Sequence, residues 1–573
     1  MSNWLEAFSQ IDPVYLNVYQ AILRYLMPVL AAILLLRTAR PLLSFRREPE
    51  IWAWLVLESG KRLAITHWES VIGRSKRSDV VIDIATVSRN HAVLTRYDDG
   101  TWMISDAHSK SGLWINGEQM DCRVLQEDDV ITIGGVNMRL LTITRRQEIT
   151  LAQLRTKGSR PMDNVANLFL LTLIQFLCCL SYLLGGNADH LRQILTGFAG
   201  IVACQWVLLL IYLLIRKGSF ELETIAFFLC TMGMAAIAAV KPGECTKQLL
   251  ALGLGLVLFL TVGILLRKLN WAKKLQVLAG ILGIGLLVVT LVFGKEYHGA
   301  KNWLIIGGFS FQPSEISKVC FVFAGTAAME RVMNRKNLIL FIAYTVAICA
   351  CLAVMNDFGT ALIFFVAFLL MAYMRSGSVG TIALACTSLG FAGVIALKIA
   401  PHAMRRFAAW RHIWEKPLTT GYQQTRALMC LVSGGLFGLG AGRGWMKNVF
   451  AADSDVVFAS IGEEWGLIMC LLLVVSVIVP ALFALRCAAV GRSSFYTIGA
   501  CTAAGILVVQ TVFNVLGTLD ILPLTGVTMP FVSNGGSSMI CAWGLLAFIK
   551  ASDTRQDASF AVRQSKEGRL EDE

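Results

Sequence analysis

Two ionisable residues, Glu315 and Lys318, stand three apart at the start of an apolar helix, within residues 301–318, KNWLIIGGFSFQPSEISK. At that spacing both side chains share one helix face. Ionisable groups at membrane depth are costly and point to function; the bland alternative is a helix-start charge with a snorkelling lysine. Other stretches carry groups of the same kind. Asn356-Asp357-Phe358-Gly359-Thr360 sets a second carboxylate between two apolar runs. Residues 401–455 are rich in Arg, Trp and Gly, and Arg405, Arg406, Arg411 and Arg426 suit a pyrophosphate, which arginine grips as a planar fork. Residues 522–538, LPLTGVTMPFVSNGGSS, read as a re-entrant stretch, whose irregular backbone is tolerated at membrane depth only inside protein or against a cavity. Basic and aromatic groups beside a polar membrane cavity suit a lipid bearing phosphate and sugar. Each arginine alone is more often an interfacial anchor.

A second set lies on loops: Gly73-Arg74, Ser88-Arg89-Asn90-His91, Ser109 to Gly112 and Asn116-Gly117. An Arg fork beside a hydroxyl suits a phosphate dianion.

The elements that must position these groups are of two kinds. The chain has 573 residues, 56% hydrophobic and 16% charged, with apolar runs long enough to span a bilayer. It reads as a polytopic α-helical membrane protein with about twelve spans plus one amino-terminal helix. The formal charge of +13 punctuates those runs, which fits the positive-inside rule rather than nucleic-acid binding. Residues 51–145 differ: short alternating runs such as AWLVL, HAVLTRY and TWMISD between turn residues read as an inserted all-β module. The expected order is an amino-terminal transmembrane helix in 1–47, the β module in 51–145, a basic linker in 146–163, the membrane domain in 164–550 and a charged, disordered tail in 551–573. Positive charge on alternate connections puts the β module and the carboxy terminus in the cytoplasm, and residues 401–455 outside. No cleavable signal is expected. The cysteines lie mostly within apolar runs, as small hydrophobes rather than a metal or disulfide framework.

In their order, the loop residues of the β module resemble a forkhead-associated (FHA) domain, a phosphothreonine-binding sandwich. Its G-R, S-x-x-H, D-x-x-S-T-N-G-T and N-G pattern is met by Gly73-Arg74, Ser88 to His91, Asp106 to Leu113 and Asn116-Gly117. The resemblance implies that Arg74 and Ser88 hold the phosphate and His91 braces the loop. Lys110 and Ser111 occupy the family's Thr-Asn positions, with Lys110 still placed for phosphate. The implied partner is a phosphothreonine protein from a Ser/Thr kinase pathway.

Residues 164–550 resemble the SEDS family, the RodA, FtsW and SpoVE group of peptidoglycan glycosyltransferases. Its G-F-S-F-Q-P-S-E-x-x-K is met by Gly308 to Lys318 and its D-L-G-T by Asp357 to Thr360. Three further motifs are met by Gly421 to Gly442, Ser454 to Gly466 and Pro530 to Ser538. The resemblance implies polymerisation of lipid II, an undecaprenyl-pyrophosphate disaccharide-peptide, on the outer face of the cytoplasmic membrane. The implied partner is a class B penicillin-binding protein, a transpeptidase. Departures are that W-x-D-P reads Trp414-Glu415-Lys416-Pro417, so Lys416 matches the family's catalytic Asp, and that A-H-T-D reads Ala452-Asp453-Ser454-Asp455. The catalytic set is then Glu415, Glu315, Lys318 and Asp455. The substrate-binding set is Lys416, Arg405, Arg406, Gln423, Asp357, Ser537 and Ser538. No metal-ligand cluster stands out and no cofactor is evident; a divalent cation is compatible with leaving-group stabilisation. Two alternatives stay open: a non-catalytic scaffold binding lipid II or a transpeptidase, and a flippase for a lipid-linked precursor.

Overall fold

The computed structural model describes residues 13–560 apart from 45–50, 77, 98–99, 145, 148–156, 186–189, 268, 298–299, 307–308, 331–334, 377–378, 400–403, 405–406 and 492. Alternating apolar residues between Ala53 and Thr142 build two facing antiparallel sheets. With strands numbered in chain order, one sheet runs β2 (Arg62–Ile65), β1 (Ala53–Leu57), β11 (Val136–Thr142), β10 (Val130–Ile133), β7 (Leu113–Ile115), β8 (Glu118–Gln119). The other runs β4 (Val80–Val81), β3 (Glu69–Gly73), β5 (Ala92–Arg96), β6 (Trp102–Asp106), β9 (Cys122–Leu125), with β4 the one parallel neighbour. Leu55, Ile72, Leu94, Ile104 and Ile131 are fully buried between them. Asn116 and Gly117 turn β7 into β8 with φ of 52° and 87°, the paired positive values that a two-residue hairpin requires.

The membrane domain begins with α1 (Pro13–Leu43), which precedes the sandwich. Then follow α2 (Pro161–Gly185), α3 (Leu191–Leu214), α4 (Glu221–Val240), α5 (Cys245–Leu266) and α6 (Leu269–Phe293). After a three-stranded sheet, Lys295–Tyr297, Ala300–Ile306 and Phe309–Phe311, come α7 (Pro313–Glu330), α8 (Arg335–Val354), α9 (Phe358–Ser376) and α10 (Val379–Ile399). The short α11 (Tyr422–Gly434) leads to α12 (Val457–Ala488), α13 (Ser494–Thr518) and α14 (Gly536–Ala551). Among the described residues nine helices are long and apolar enough to cross a membrane. This is a multi-pass α-helical membrane protein with an inserted β sandwich. Beyond Glu221 and Glu223 in its first turn, α4 is apolar on all sides and almost wholly buried, which makes it the centre of the bundle. α12 breaks at Gly466 (φ 85°, ψ 167°), where a Cβ would meet the Leu436 carbonyl at 2.3 Å.

The expectation of a disordered tail is corrected over 552–560. Asp553, Arg555, Ala558 and Ser559 are buried. The Arg555 guanidinium donates to Asp553 (2.8 Å), Ser219 Oγ (2.7 Å), Glu221 (3.3 Å) and the Pro41 carbonyl of α1 (3.4 Å). Burial alone lowers its pKa, but the Asp553 and Glu221 carboxylates outweigh that and raise it. Gly158 N–H, just before α2, donates to the Gln556 carbonyl at 3.0 Å. Phe560 packs on Tyr212 and Phe259, each at 5.5 Å between ring centroids. The tail therefore touches both connections that tie the sandwich to the helices. Residues 561–573 lie outside the described residues.

Candidate functional site

Pro313 fits the first helical position of α7, because its missing N–H is unused there. One turn on, Lys318 Nζ donates to Glu315 Oε1 at 2.7 Å; Lys318 is fully buried and Glu315 is 4% exposed. Glu315 Oε2 and Ser314 Oγ are buried without a hydrogen-bond partner among the described residues. The preceding Gln312 joins this helix start to two other segments. Its side-chain amide donates to Asp357 Oδ2 (3.3 Å), and its backbone N–H donates to Ser537 Oγ (3.3 Å). Asp357 also accepts from Asn302 (3.0 Å) and caps α9 through Thr360 N–H (3.2 Å). Ser538 Oγ pairs with Thr528 Oγ1 at 2.7 Å. The structure thus brings Glu315, Lys318, Asp357, Ser537 and Ser538 into one wall, and the two serine hydroxyls are engaged within it.

The 453–455 turn faces the same 528–538 segment. Asn514 donates to the Asp455 carbonyl (2.9 Å) and the Val527 carbonyl (3.0 Å), and Ser533 Oγ donates to the Ser454 carbonyl (2.7 Å). Asp455 is half-buried at the start of α12. The following Glu463 and Glu464, buried in α12, brace the glycine-rich loop, where Glu463 accepts from Met446 N–H (2.8 Å) and the Glu464 carbonyl from Gly440 N–H (3.0 Å); the Glu464 carboxylate accepts from Tyr182 of α2 (2.7 Å).

Residues 410–421 dock on the turn after α13, with Trp410 Nε1 donating to the Ile521 carbonyl (3.1 Å) and Arg411 N–H to Asp520 (3.3 Å). Lys416 is exposed, and Glu415 is 69% exposed with its carboxylate 2.8 Å from His412 Nδ1. Glu415 is therefore set on an anchored loop and partnered by His412, apart from the 315–318 pair. Gln423, on α11, donates to the Phe450 carbonyl at 2.9 Å. Arg405 and Arg406 lie outside the described residues.

The loops of the sandwich form a second cluster. His91 Nδ1 accepts from Ser88 N–H (3.1 Å), and its Nε2 lies 3.1 Å from the Gly112 carbonyl, so the proton sits on Nε2 and the ring pins two loops together. Lys110 N–H donates to Ser88 Oγ (3.0 Å) and Ser111 Oγ to the Thr86 carbonyl (3.2 Å). Arg74 and Lys110 are exposed around that centre. On the adjoining turn Asp129 accepts from Gln126 N–H (2.9 Å) and Asn116 (2.7 Å), and these bonds hold its pKa below the usual carboxylate value.

Sequence reasoning missed the amides and the imidazole that do the linking: Asn302, Gln312, Asn514, Asn534 and His412. A signal was present for Asn514, a polar amide inside an otherwise apolar run.

The chain matches the profile of FTSW_RODA_SPOVE, described as a cell cycle protein, over residues 227–556, and that of the FHA domain over 70–134. It is similar to a probable peptidoglycan glycosyltransferase FtsW of Tolumonas auensis, 31% identical, covering 61% of this chain and 96% of that protein. It is also similar to the peptidoglycan glycosyltransferase RodA of Mycobacterium tuberculosis strain H37Rv, 28% identical, covering 53% and 69%. Among solved structures it aligns with a chain of a peptidoglycan synthase complex at 24% identity and a TM-score of 0.49, covering 58% of this chain and 96% of that one.

Proposed function

Since the chain belongs to the FtsW/RodA/SpoVE family and carries an FHA domain, we propose that it polymerises lipid II on the outer face of the cytoplasmic membrane. The observation that carries this reading is the buried Glu315–Lys318 pair, joined through Gln312 to Asp357 and Ser537. A fully buried ammonium and its carboxylate are expensive to place in a bilayer, and the segments they join are the ones that line the candidate site.

In the proposed reaction a base takes the proton of an acceptor 4-hydroxyl. The oxygen then attacks the anomeric carbon, and the pyrophosphate lipid leaves with the bonding electron pair. Glu415 is the carboxylate we assign to the proton, with His412 fixing its position. Lys416, with Arg405 and Arg406 of the same loop, is assigned to the pyrophosphate. Glu315 and Asp455 set the polar lining, while Lys318 pairs with Glu315 and aims it. Gln423, Asp357, Ser537 and Ser538 hold that lining in shape around the disaccharide. A class B penicillin-binding protein is the proposed partner. The FHA module lies on the cytoplasmic side and regulates the enzyme by taking a phosphothreonine of a Ser/Thr kinase pathway on Arg74, Ser88 and Lys110, with His91 and Ser111 bracing the loops.

One observation favours a second reading, a scaffold that holds lipid II without turning it over: Lys416 stands where the family's base would be, and a protonated lysine accepts no proton. Polymerisation of purified lipid II by the chain with its transpeptidase separates the two. Glycan strands from wild type and none from Glu415→Ala support the enzyme. No strands from wild type, with strands from Lys416→Asp, establish the scaffold.

A further inference from the structure

Asp453 is 1% exposed and is gripped at three points. Its carbonyl accepts from Asn534 N–H (2.8 Å), its Oδ2 accepts from Asn534 Nδ2 (2.6 Å), and its Oδ1 lies 3.1 Å from Lys241 Nζ. The Asn534 amide is also bonded to Glu244 Oε2 at 2.5 Å, on the same short turn, Pro242–Glu244, that follows Lys241. Gln248 donates to the neighbouring Ser533 carbonyl at 3.3 Å. Three segments far apart in sequence therefore meet on one buried carboxylate.

Resting on the reading above, we propose that Asp453 is a positioning residue: through Asn534 and Lys241 it holds the turn bearing Asp455 in register with the 533–538 segment that meets Gln312 at the start of α7. The path is continuous on both sides. Asp455 follows Asp453 by two residues, and its carbonyl is held by Asn514, which also holds Val527. Ser537 follows Asn534 by three residues and accepts from Gln312, three residues before Glu315. Asp453 is not a proton acceptor for substrate, because Oδ2 is bonded to Asn534, Oδ1 faces the Lys241 ammonium, and the side chain is closed off from solvent. Lys241 supplies the counter-charge that a carboxylate in this position needs. A shift of the turn by about 1 Å is enough to cost up to about a hundredfold in rate, since reacting groups must meet in register.

The test uses the full-length chain in lipid nanodiscs. Asp453→Ala, Asp453→Asn, Asn534→Ala and the Asp453→Ala/Asn534→Ala pair are compared by steady-state lipid II polymerisation and by amide exchange of segments 451–458 and 526–540. Asp453→Ala and Asn534→Ala each lower kcat about tenfold with KM nearly unchanged, and the pair is no worse than the poorer single change. Asp453→Asn keeps an acceptor for the Asn534 amide and recovers most of the rate. Exchange speeds up in both segments with Asp453→Ala but not with Asp453→Asn. An Asp453→Asn variant as slow as Asp453→Ala overturns the proposal in favour of proton transfer, and so does additivity in the pair. Should wild type form no glycan, the proposed activity fails by itself. The exchange comparison then decides the positioning claim, which is overturned by unchanged exchange in Asp453→Ala.

Discussion

Lys318 Nζ lies 2.7 Å from Glu315 Oε1, one turn into α7 and shut off from solvent. Removing one member of a buried pair leaves the other charge uncompensated, a loss of about 3–5 kcal/mol. Lys318→Met is expected to lower the thermal unfolding midpoint in detergent by that route. Adding Glu315→Gln recovers most of the stability, because the orphaned charge is gone, but leaves lipid II polymerisation impaired.

His412 and Glu415 make the opposite case, an exposed pair on the loop of residues 410–421. Exposed pairs contribute about 0–1 kcal/mol, so neither Glu415→Ala nor His412→Ala shifts the unfolding midpoint measurably. Under the proposed function, Glu415→Ala lowers kcat for glycan formation by about a hundredfold or more, the usual contribution of a general base. His412→Ala loses less, since the carboxylate stays and only its placement relaxes.

For the FHA loops, Arg74→Ala is expected to abolish binding of phosphothreonine peptides in a titration without changing the fold, because Arg74 is exposed. His91→Ala acts through structure. It leaves Ser88 N–H and the Gly112 carbonyl without their shared partner, a cost of about 1–3 kcal/mol, and weakens peptide binding as the loops part. Equal binding of the unphosphorylated peptide refutes the phosphate role.

Asp129 predicts a pH dependence. Its folded pKa is depressed, so its contribution to stability is fully present above the unfolded carboxylate value, near pH 4, and is lost as pH falls through the lower folded value. Asp129→Asn should therefore destabilise the excised sandwich in urea at pH 7. The gap to wild type closes progressively below pH 4.

The tail gives a fifth test. Arg555→Met strips Asp553 and Glu221 of their shared cation. Amide exchange around Gly158 and at the end of α1 should rise together, because both connections of the sandwich lose one anchor. A rise in one alone contradicts a joint clasp.

Much of this architecture was legible. Long apolar runs and the alternation in residues 51–145 dictate helices and sandwich, and a spacing of three put Glu315 and Lys318 on one face. Local rules do not reach what depends on distant partners. The tail reads as polar and unstructured until Glu221, over three hundred positions earlier, is seen waiting for Arg555. Among the described residues the strands in 295–311 are short and pair only with one another, and residues 422–434 form a helix too short for a spanning pattern. The helix-like i,i+3 contact of Glu415 with His412 occurs in a turn that sequence does not announce.

The clasp also orders events in synthesis. Residues 552–560 follow every described membrane helix, so the ribosome delivers Arg555 after α4 and Glu221 have already entered the bundle. Until then the buried Glu221 carboxylate at the foot of the central helix lacks its guanidinium partner, and Gly158 lacks its partner at Gln556. A chain cut short before Arg555 never gains that ion pair. Near-complete but truncated copies thus carry a built-in defect that local unfolding exposes to quality-control proteases.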